Sequence, residues 1–391
     1  MDDIDFEPPS HDEVRTDVRS LFLGAIRVTL EMLLEEEVRE LVGVGRWQKA
    51  LARTDRRNGS YLRGLMTSMG HLEVTVPRTR ESGSAGVVLG RYKRRAPELD
   101  DAITSAYVQG VSTRKMGKVT AALMGNKVSR STVSRVTKSL EEKVEALRKE
   151  PLTQRFLYLY LDATFLDARW ARAVENVSAL VAYGVGEDGH RHLLAVTIGP
   201  SESQESWADL LRQLLDRGLS GVQLVIADGH AGLAAAARQA LPEARIQRCT
   251  VHLTRNVLAK APWRLRGRLG KETSAIFEAP NPKAARERLE VLKAGLGKQV
   301  PEALECLEAG FAASTQFYAF PKAHWKRLRS TNGLERLNGE IKRRTRAVGA
   351  FPDRASARRL ITAVALEVTS AWGDRRYLDM SLLKQKQAEA T

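Results

Sequence analysis

Two aspartates close apolar runs of the kind that become strands: Asp162 ends FLYLYLDAT and Asp228 ends VQLVIADG. If those strands lie side by side, the two carboxylates face one another, and like charges that close are costly unless a cation sits between them. Hard oxygen donors in an open cluster suit Mg²⁺ or Mn²⁺. A third acid, Glu335 in STNGLERLNGEIKRR, follows an Asn332 able to cap a helix whose first turn would present Glu335 to the strand ends. Two ions about 3.5 to 4 Å apart in such a cluster would activate a water or a 3′-hydroxyl and stabilise the leaving oxygen of an in-line phosphoryl displacement. Taken singly, an Asp after an apolar strand is more often structural than a ligand. Three acids in suitable elements of one basic chain outweigh that.

The elements that must position them follow from periodicity. After Pro151 the pattern turns extended: FLYLYLDAT is a strand, and VSALVAYGV with RHLLAVTIG across the EDGH turn is a hairpin. SQESWADLLRQLLDRG has helical spacing, VQLVIADG reads as a buried strand, AGLAAAARQAL as a helix and ARIQRCT as a strand. Three antiparallel strands followed by parallel additions are the plan of a ribonuclease H-like mixed sheet in an α/β fold. From Cys249 to about residue 313 the chain is rich in Leu, Ala, Lys, Arg and Glu and without internal repeat, which predicts an all-α insertion before the element carrying Glu335. A final helix from about Asp353 to Trp372 precedes a polar tail.

Upstream, apolar positions from Leu21 to Val38 predict an amphipathic helix over about Val14 to Leu41. A polar stretch, TDRRNGSY, then leads to the alternating strand HLEVTVPRTR, with Pro77 and the loop ESGSAG expected to end it. Thr113 to Met124, the break GNKVS and SRSTVSRVTKSLEEKV have the form of a helix-turn-helix in which Ser129 or Ser131 caps the second helix. Arg114 and Lys115 on the first helix, with Arg130, Thr132, Ser134, Arg135 and Lys138 on the second, would face DNA. The expected divisions are a helical and stranded module over 1–95, a helix-turn-helix over 96–150, the first part of the catalytic core over 151–255, the insertion over 256–325 and the remainder of the core over 326–391.

The net charge is +15, and it is clustered. Arg91 to Lys138 holds 11 Lys and Arg against 3 Asp and Glu, and Lys322 to Arg359 holds 12 against 3, so these two segments exceed the net charge of the whole chain. Such clustering favours a polyanionic partner, nucleic acid above all. Two cysteines, Cys249 and Cys306, make no disulfide framework. An acidic N-terminus without an apolar core is no signal peptide, and no long uncharged apolar run suggests a membrane span. A cytoplasmic, nucleoid-associated protein is expected.

Several stretches in combination resemble the Mutator-type transposases of bacterial insertion sequences, the insertion sequence 256 family, of the DDE class. They include RNGSYLRGLMTSMGHLEVTVPRTR, VQGVSTRKMGKV with SRSTVSRVTK, YLYLDATF, VIADGHAGL, QRCTVHLTRNVLAK and FYAFPKAHWKRLRSTNGLERLNGEIKRRT. The family's Asp, Asp and Glu fall on Asp162, Asp228 and Glu335, with 65 residues between the first pair and 106 between the second, room for the helical insertion. The resemblance implies binding of terminal inverted repeats, metal-dependent strand cleavage and strand transfer into target DNA, two Mg²⁺ or Mn²⁺ ions per site, and a homodimer that brings two ends together. Its Cys-x-x-His motif falls on Cys249 and His252. Half a zinc site is one reading, but a structural zinc wants four ligands and the other cysteine is Cys306. The favoured reading places His252 at the cluster over a buried Cys249. His230 either joins the site or caps a helix. Trp325 or Trp263 would stack on an extruded base, His324 lies beside the first of these, and Arg336, Lys342, Arg343, Arg344 and Arg346 would follow the DNA backbone. Two other classes fit parts of the pattern: a structure-selective nuclease or resolvase that hydrolyses without joining, and a regulator that binds DNA without metal.

Overall fold

A computed structural model describes residues 11–48, 53–67, 69–81, 88–90, 95–124, 127–170, 173–199 and 201–388. The expected ESGSAG loop past Glu81, the first two residues of the GNKVS break and the end of the polar tail lie outside the described residues. The chain forms two compact units, residues 1–138 and 139–391. Among the described residues no helix is long and apolar enough to cross a membrane.

In the first unit, α1 (His11–Val42) lays Leu34, Val38 and Val42, all fully buried, against Leu72, Val74 and Val76 of a hairpin. The hairpin pairs β1 (Arg57–Thr67) with β2 (Gly70–Thr79) in antiparallel register. The polar stretch TDRRNGSY thus runs into a strand of its own, because the alternating β2 needs a hydrogen-bonded neighbour to bury one face. Pro77 does not end β2 either. It sits opposite the irregular register between Arg57 and Ser60, where a missing N–H is tolerated. Three short helices follow, α2 (Pro97–Val108), α3 (Thr113–Met124) and α4 (Arg130–Val136). Ser129 caps α4 as expected, its Oγ accepting from the Thr132 N–H at 3.1 Å.

The second unit opens with α5 (Leu140–Lys149) and a mixed α/β core. Its strands are β3 (Phe156–Trp170), β4 (Ala173–Gly186), β5 (Arg191–Gly199), β6 (Leu224–Ala227) and β7 (Arg245–Arg248). Among the described residues these make a five-stranded sheet in the order β5-β4-β3-β6-β7, with antiparallel pairing from β3 to β5 and parallel pairing of β6 to β3 and of β7 to β6. Between them run α6 (Gln204–Asp216) and α7 (Ala231–Ala240). This is the predicted order of elements. Gly189 makes the tight β4–β5 turn at φ +78, where any Cβ would also strike the Leu378 carbonyl.

The alternation of the strands sorts side chains between two layers. Leu159, Leu161, Leu180, Ala182, Val225 and Ala227 face Trp207, Leu210, Leu211 and Leu214 of α6 and Leu233, Ala236 and Ala237 of α7. Each large apolar side chain buried this way gains about 1.5 to 3 kcal/mol over exposure. Tyr158 and Tyr160 point to the opposite face. There the Tyr158 hydroxyl meets His324 Nδ1 at 2.9 Å and the Tyr160 hydroxyl donates to the Arg327 carbonyl at 3.2 Å. By parity Asp162 and Asp228 share that second face.

Beyond β7 the chain is helical as expected: α8 (Thr250–Ala259), α9 (Trp263–Phe277), α10 (Pro282–Leu296) and α11 (Pro301–Ser314). It returns to the sheet through α12 (Trp325–Leu328), α13 (Asn332–Thr345) and α14 (Arg354–Thr369), followed by α15 (Ser381–Ala388). Asp353 caps α14, accepting from the Ser356 N–H at 2.6 Å.

Candidate active site

Asp162 does not end its strand. β3 keeps its antiparallel pairing with β4 out to Trp170, whereas its parallel pairing with β6 stops at Tyr160 opposite Ile226. Asp162 thus lies where β3 loses its β6 neighbour, and the register carried two places further sets it beside Asp228, the first residue past β6. The Asp162 carboxyl is buried, and that burial lifts its pKa to about 7; a charge on His252 lowers it, and the Asp228 and Glu335 carboxylates raise it again. Its Oδ1 accepts from the Ala163 N–H at 3.0 Å. Asp228 accepts from the His230 N–H at 3.0 Å.

Glu335 reaches this cluster from α13. Asn332 is the first residue of that helix and not its cap; Thr331 holds the cap position without a side-chain hydrogen bond to the helix. The reason lies in Thr331 itself, whose N–H and hydroxyl both face the Cys249 sulfur at 3.4 Å. Glu335 falls in the first turn, half-buried, and accepts two hydrogen bonds from Arg255 at 3.0 and 3.1 Å, with His252 Nε2 at 3.4 Å. One turn further, Asn338 donates to Asp162 Oδ2 at 2.9 Å. Gly333 lets the first turn approach the sheet: a Cβ there would stand 2.8 Å from the hydroxyl of the fully buried Tyr183.

Cys249 is fully buried, and His252 stands beside it against Glu335. Burial opposes charge on the thiol, but hydrogen bonds from His252 and Thr331 outweigh it and hold the Cys249 pKa below its ordinary value. The same contact with Cys249, opposed by partial burial and helped by the charges of Cys249, Asp162 and Glu335, lifts His252 to about 9. The cluster therefore sets the His252 imidazolium and the Arg255 guanidinium beside carboxyls of which Asp162 holds its proton more readily than usual.

Among the described residues no three His, Cys, Asp or Glu side chains stand together as a metal-holding group. Glu335 is turned to Arg255 and His252, while Asp162 and Asp228 lie together. The aspartate pair could hold a hard divalent ion, since the two carboxyls stand on adjoining strand ends, close enough for the charge of one to act on the other, next to the buried Asn338, whose Oδ1 has no hydrogen-bond partner.

The other predicted residues fall in several places. His230 caps α7, its Nδ1 accepting from the Leu233 N–H at 3.3 Å, and lies 3.9 Å from Glu202. His324 is buried between Tyr158 and the Asp379 carbonyl. Trp325 donates its indole N–H to the Phe320 carbonyl at 2.8 Å and packs on Phe317 and Tyr318, so its ring is already engaged, while Trp263 is exposed. Arg336, Lys342, Arg343 and Arg346 are exposed on or just past α13. Arg344 departs from that row: it is buried and paired with Glu340 at 3.4 Å and Glu367 at 3.1 Å. In the first unit Arg114, Lys115, Arg130, Ser134, Arg135 and Lys138 are exposed and Thr132 is half-buried. Sequence reasoning missed Asn338, Arg255, Thr331 and Glu202. Helical spacing offered the first two, three residues beyond Glu335 and His252. Nothing local marked Thr331 or Glu202, whose carboxyl is pushed up by burial and then by Asp228.

Residues 4–374 match the family described as Transposase, Mutator family. The chain is 37% identical over 364 residues to the transposase for insertion sequence element ISRM5 of Rhizobium meliloti (strain 1021), covering 92% of this chain and 91% of that one. It is 33% identical over 371 residues to the transposase for IS256 in transposon Tn4001 of Staphylococcus aureus, covering 94% of each. A solved structure, the Drosophila P element transposase strand transfer complex, aligns over 78% of this chain and 87% of that one at 12% identity; its TM-score of 0.30 is too low to speak for the fold. The match along nearly the whole chain, and the identity shared with full-length relatives, establish that this protein belongs to the Mutator family of transposases.

Proposed function

We propose that this chain binds the ends of an insertion sequence and cuts and joins DNA by metal-dependent phosphoryl transfer at Asp162, Asp228 and Glu335. The observation that carries the reading is the convergence of Asp162 and Asp228 on one face of the sheet, with Glu335 close enough for its charge to act on Asp162. The sheet order β5-β4-β3-β6-β7, with α8 to α11 between the second aspartate and Glu335, supports a ribonuclease H-like core with an all-helical insertion.

Two Mg²⁺ or Mn²⁺ ions held by the three carboxylates would supply an activated nucleophile and stabilise the leaving oxygen. The chain's own residues do the positioning. Asn338 fixes one Asp162 oxygen, and β6 with the His230 N–H fixes Asp228. Cys249, Thr331 and His252 tie the start of α8 to the start of α13, which sets the depth at which Glu335 stands. Arg336, Lys342 and Arg343 offer cations along the exposed side of α13 for the DNA backbone. The capped α4 with its exposed Arg130, Ser134, Arg135 and Lys138, following α3 with Arg114 and Lys115, supports a helix-turn-helix reading of DNA.

A homodimer is part of this reading. Val18, Leu21, Ala25, Val28 and Met32 are exposed on α1 at alternating spacings of three and four, the pattern of a coiled-coil seam. The C-terminal helix α14, by contrast, is largely buried.

The test is an in vitro reaction on a DNA end with a labelled 3′ strand. With Mg²⁺ the chain should give both cut product and product longer than the input, and Asp162→Asn, Asp228→Asn and Glu335→Gln should each abolish both while end binding persists. Cut product alone would support a nuclease, and neither product from the natural chain, with end binding intact, would leave a metal-free regulator as the better reading.

A further inference from the structure

Beside the start of α13 lies a cavity of about 660 Å³, most of whose lining has no part in the proposed reaction. Six cations line it, Arg191, Arg255, Lys326, Arg327, Arg329 and Arg336, against a single carboxylate, Glu278. Some of that positive charge is already matched. Glu278 pairs with Arg329 at 3.2 Å, and Arg255 is bound to Glu335. Arg191 lies over the rings of Trp372 and Tyr377 at 4.3 and 4.6 Å. Lys326, Arg327 and Arg336 are exposed and face no carboxylate among the described residues. Arg327 also rests on the Tyr377 ring at 4.8 Å, which holds its flat donor fork in place.

Like charges gathered in a concavity raise its potential well above that of the same charges spread over a flat face, so a structure keeps them only at a cost in repulsion. A bound anion removes the cost. Asn332 and Gly333, at the start of α13, line the same space, so the positive end of the helix dipole lies beside it. The shape narrows the choice of anion. A duplex is far too wide for a space of this volume, whereas one strand's backbone is not. The cavity also shares Arg255 with Glu335, so whatever occupies it lies next to the proposed cutting centre.

We propose that this cavity binds the phosphodiester backbone of an unpaired DNA strand, with Lys326, Arg327 and Arg336 reaching its phosphates. The identity of the anion as DNA rests on the proposed role of Asp162, Asp228 and Glu335 in cutting DNA. The occupant is one strand drawn away from its complement beside the position where the chain would cut.

The test measures binding and not cleavage, in chelator, with the full chain and a short fluorescent single strand, the matching duplex, and inorganic triphosphate as competitor. The double variant Lys326→Ala with Arg327→Ala should bind the single strand about tenfold more weakly for each side chain removed. It should leave duplex affinity within about twofold. The slope of log affinity against log salt for the strand should fall by roughly 0.7 for each phosphate no longer neutralised, and Arg327→Lys should restore the slope. Unchanged strand affinity and slope would overturn the proposal, as would an equal loss for duplex and strand. Displacement of the strand by triphosphate at concentrations where triphosphate alone saturates the chain would assign the cavity to a free nucleotide and overturn the proposal too. If the double variant melts early, the single variants Lys326→Gln and Arg327→Gln are read against the same criteria. Because cleavage is not scored, loss of this proposal leaves the carboxylate triad standing, and an active Asp162→Asn leaves the binding result standing.

Discussion

At the residue scale, two groups of the cluster titrate in the same direction. Asp162 holds its proton more readily in the fold, at about 7 against 3.8, so its contribution to stability is full below the lower value and is lost as pH rises through about 7. His252 is raised from 6.5 to about 9, so its contribution is full below 6.5 and is lost as pH rises through about 9. In chelator the melting temperature should therefore fall in two steps between mildly acidic and alkaline pH. Asp162→Asn should remove the lower step and His252→Gln the upper one, as differential scanning fluorimetry would show. Added Mg²⁺ should raise the melting temperature more at pH values above the lower step, where Asp162 is ionised, than below it; an equal rise at both would mean that the ion binds elsewhere. In the strand-joining assay Asp162→Asn should lower the rate by roughly three orders of magnitude or more, the scale of losing one member of a concerted set.

The helix that carries Glu335 can be tested as an element through two of its glycines. Gly333→Ala would set a Cβ 2.8 Å from the Tyr183 hydroxyl, a rigid neighbour, and should cost about 1 to 3 kcal/mol while shifting Glu335 and depressing joining. Gly339→Ala meets nothing within 4 Å in the same helix and should stabilise by about 0.5 to 1 kcal/mol with joining unchanged. Denaturant melts and joining rates of the two variants check this directly. Much at this scale was legible in the chain. Apolar runs and helical spacing placed the sheet, the crossover helices and the insertion, because burial on both faces leaves a continuous apolar run that a half-exposed strand lacks. What escaped depended on partners distant in sequence. β3 outruns Asp162 because β4 pairs with it to Trp170, and β1 forms from polar residues because β2 needs a neighbour. Thr331 displaces Asn332 from the cap because Cys249 engages it, and Arg344 turns inward to Glu367 on α14.

For the whole molecule, the charge balance and the exposed seam on α1 set two expectations. With a net charge of +15, much of it in the segments proposed to meet DNA, affinity for an insertion-sequence end should fall steeply with salt, and less steeply for an Arg130→Ala, Arg135→Ala variant. Leu21→Glu with Met32→Glu should convert a dimer to a folded monomer in multi-angle light scattering, since a buried like charge at two seam positions cannot be accommodated; a mass unchanged at the dimer value would assign the contact to another face. The central claim remains that Asp162, Asp228 and Glu335 act together as one cation-holding set. The most direct measurement is Mn²⁺ binding to the chain on a cut DNA end, followed by electron paramagnetic resonance, for the natural chain and for Asp162→Asn, Asp228→Asn and Glu335→Gln. The account predicts two ions per chain and loss of at least one in each variant. Mn²⁺ binding unchanged in Glu335→Gln, or absent from the natural chain while joining proceeds, would contradict it.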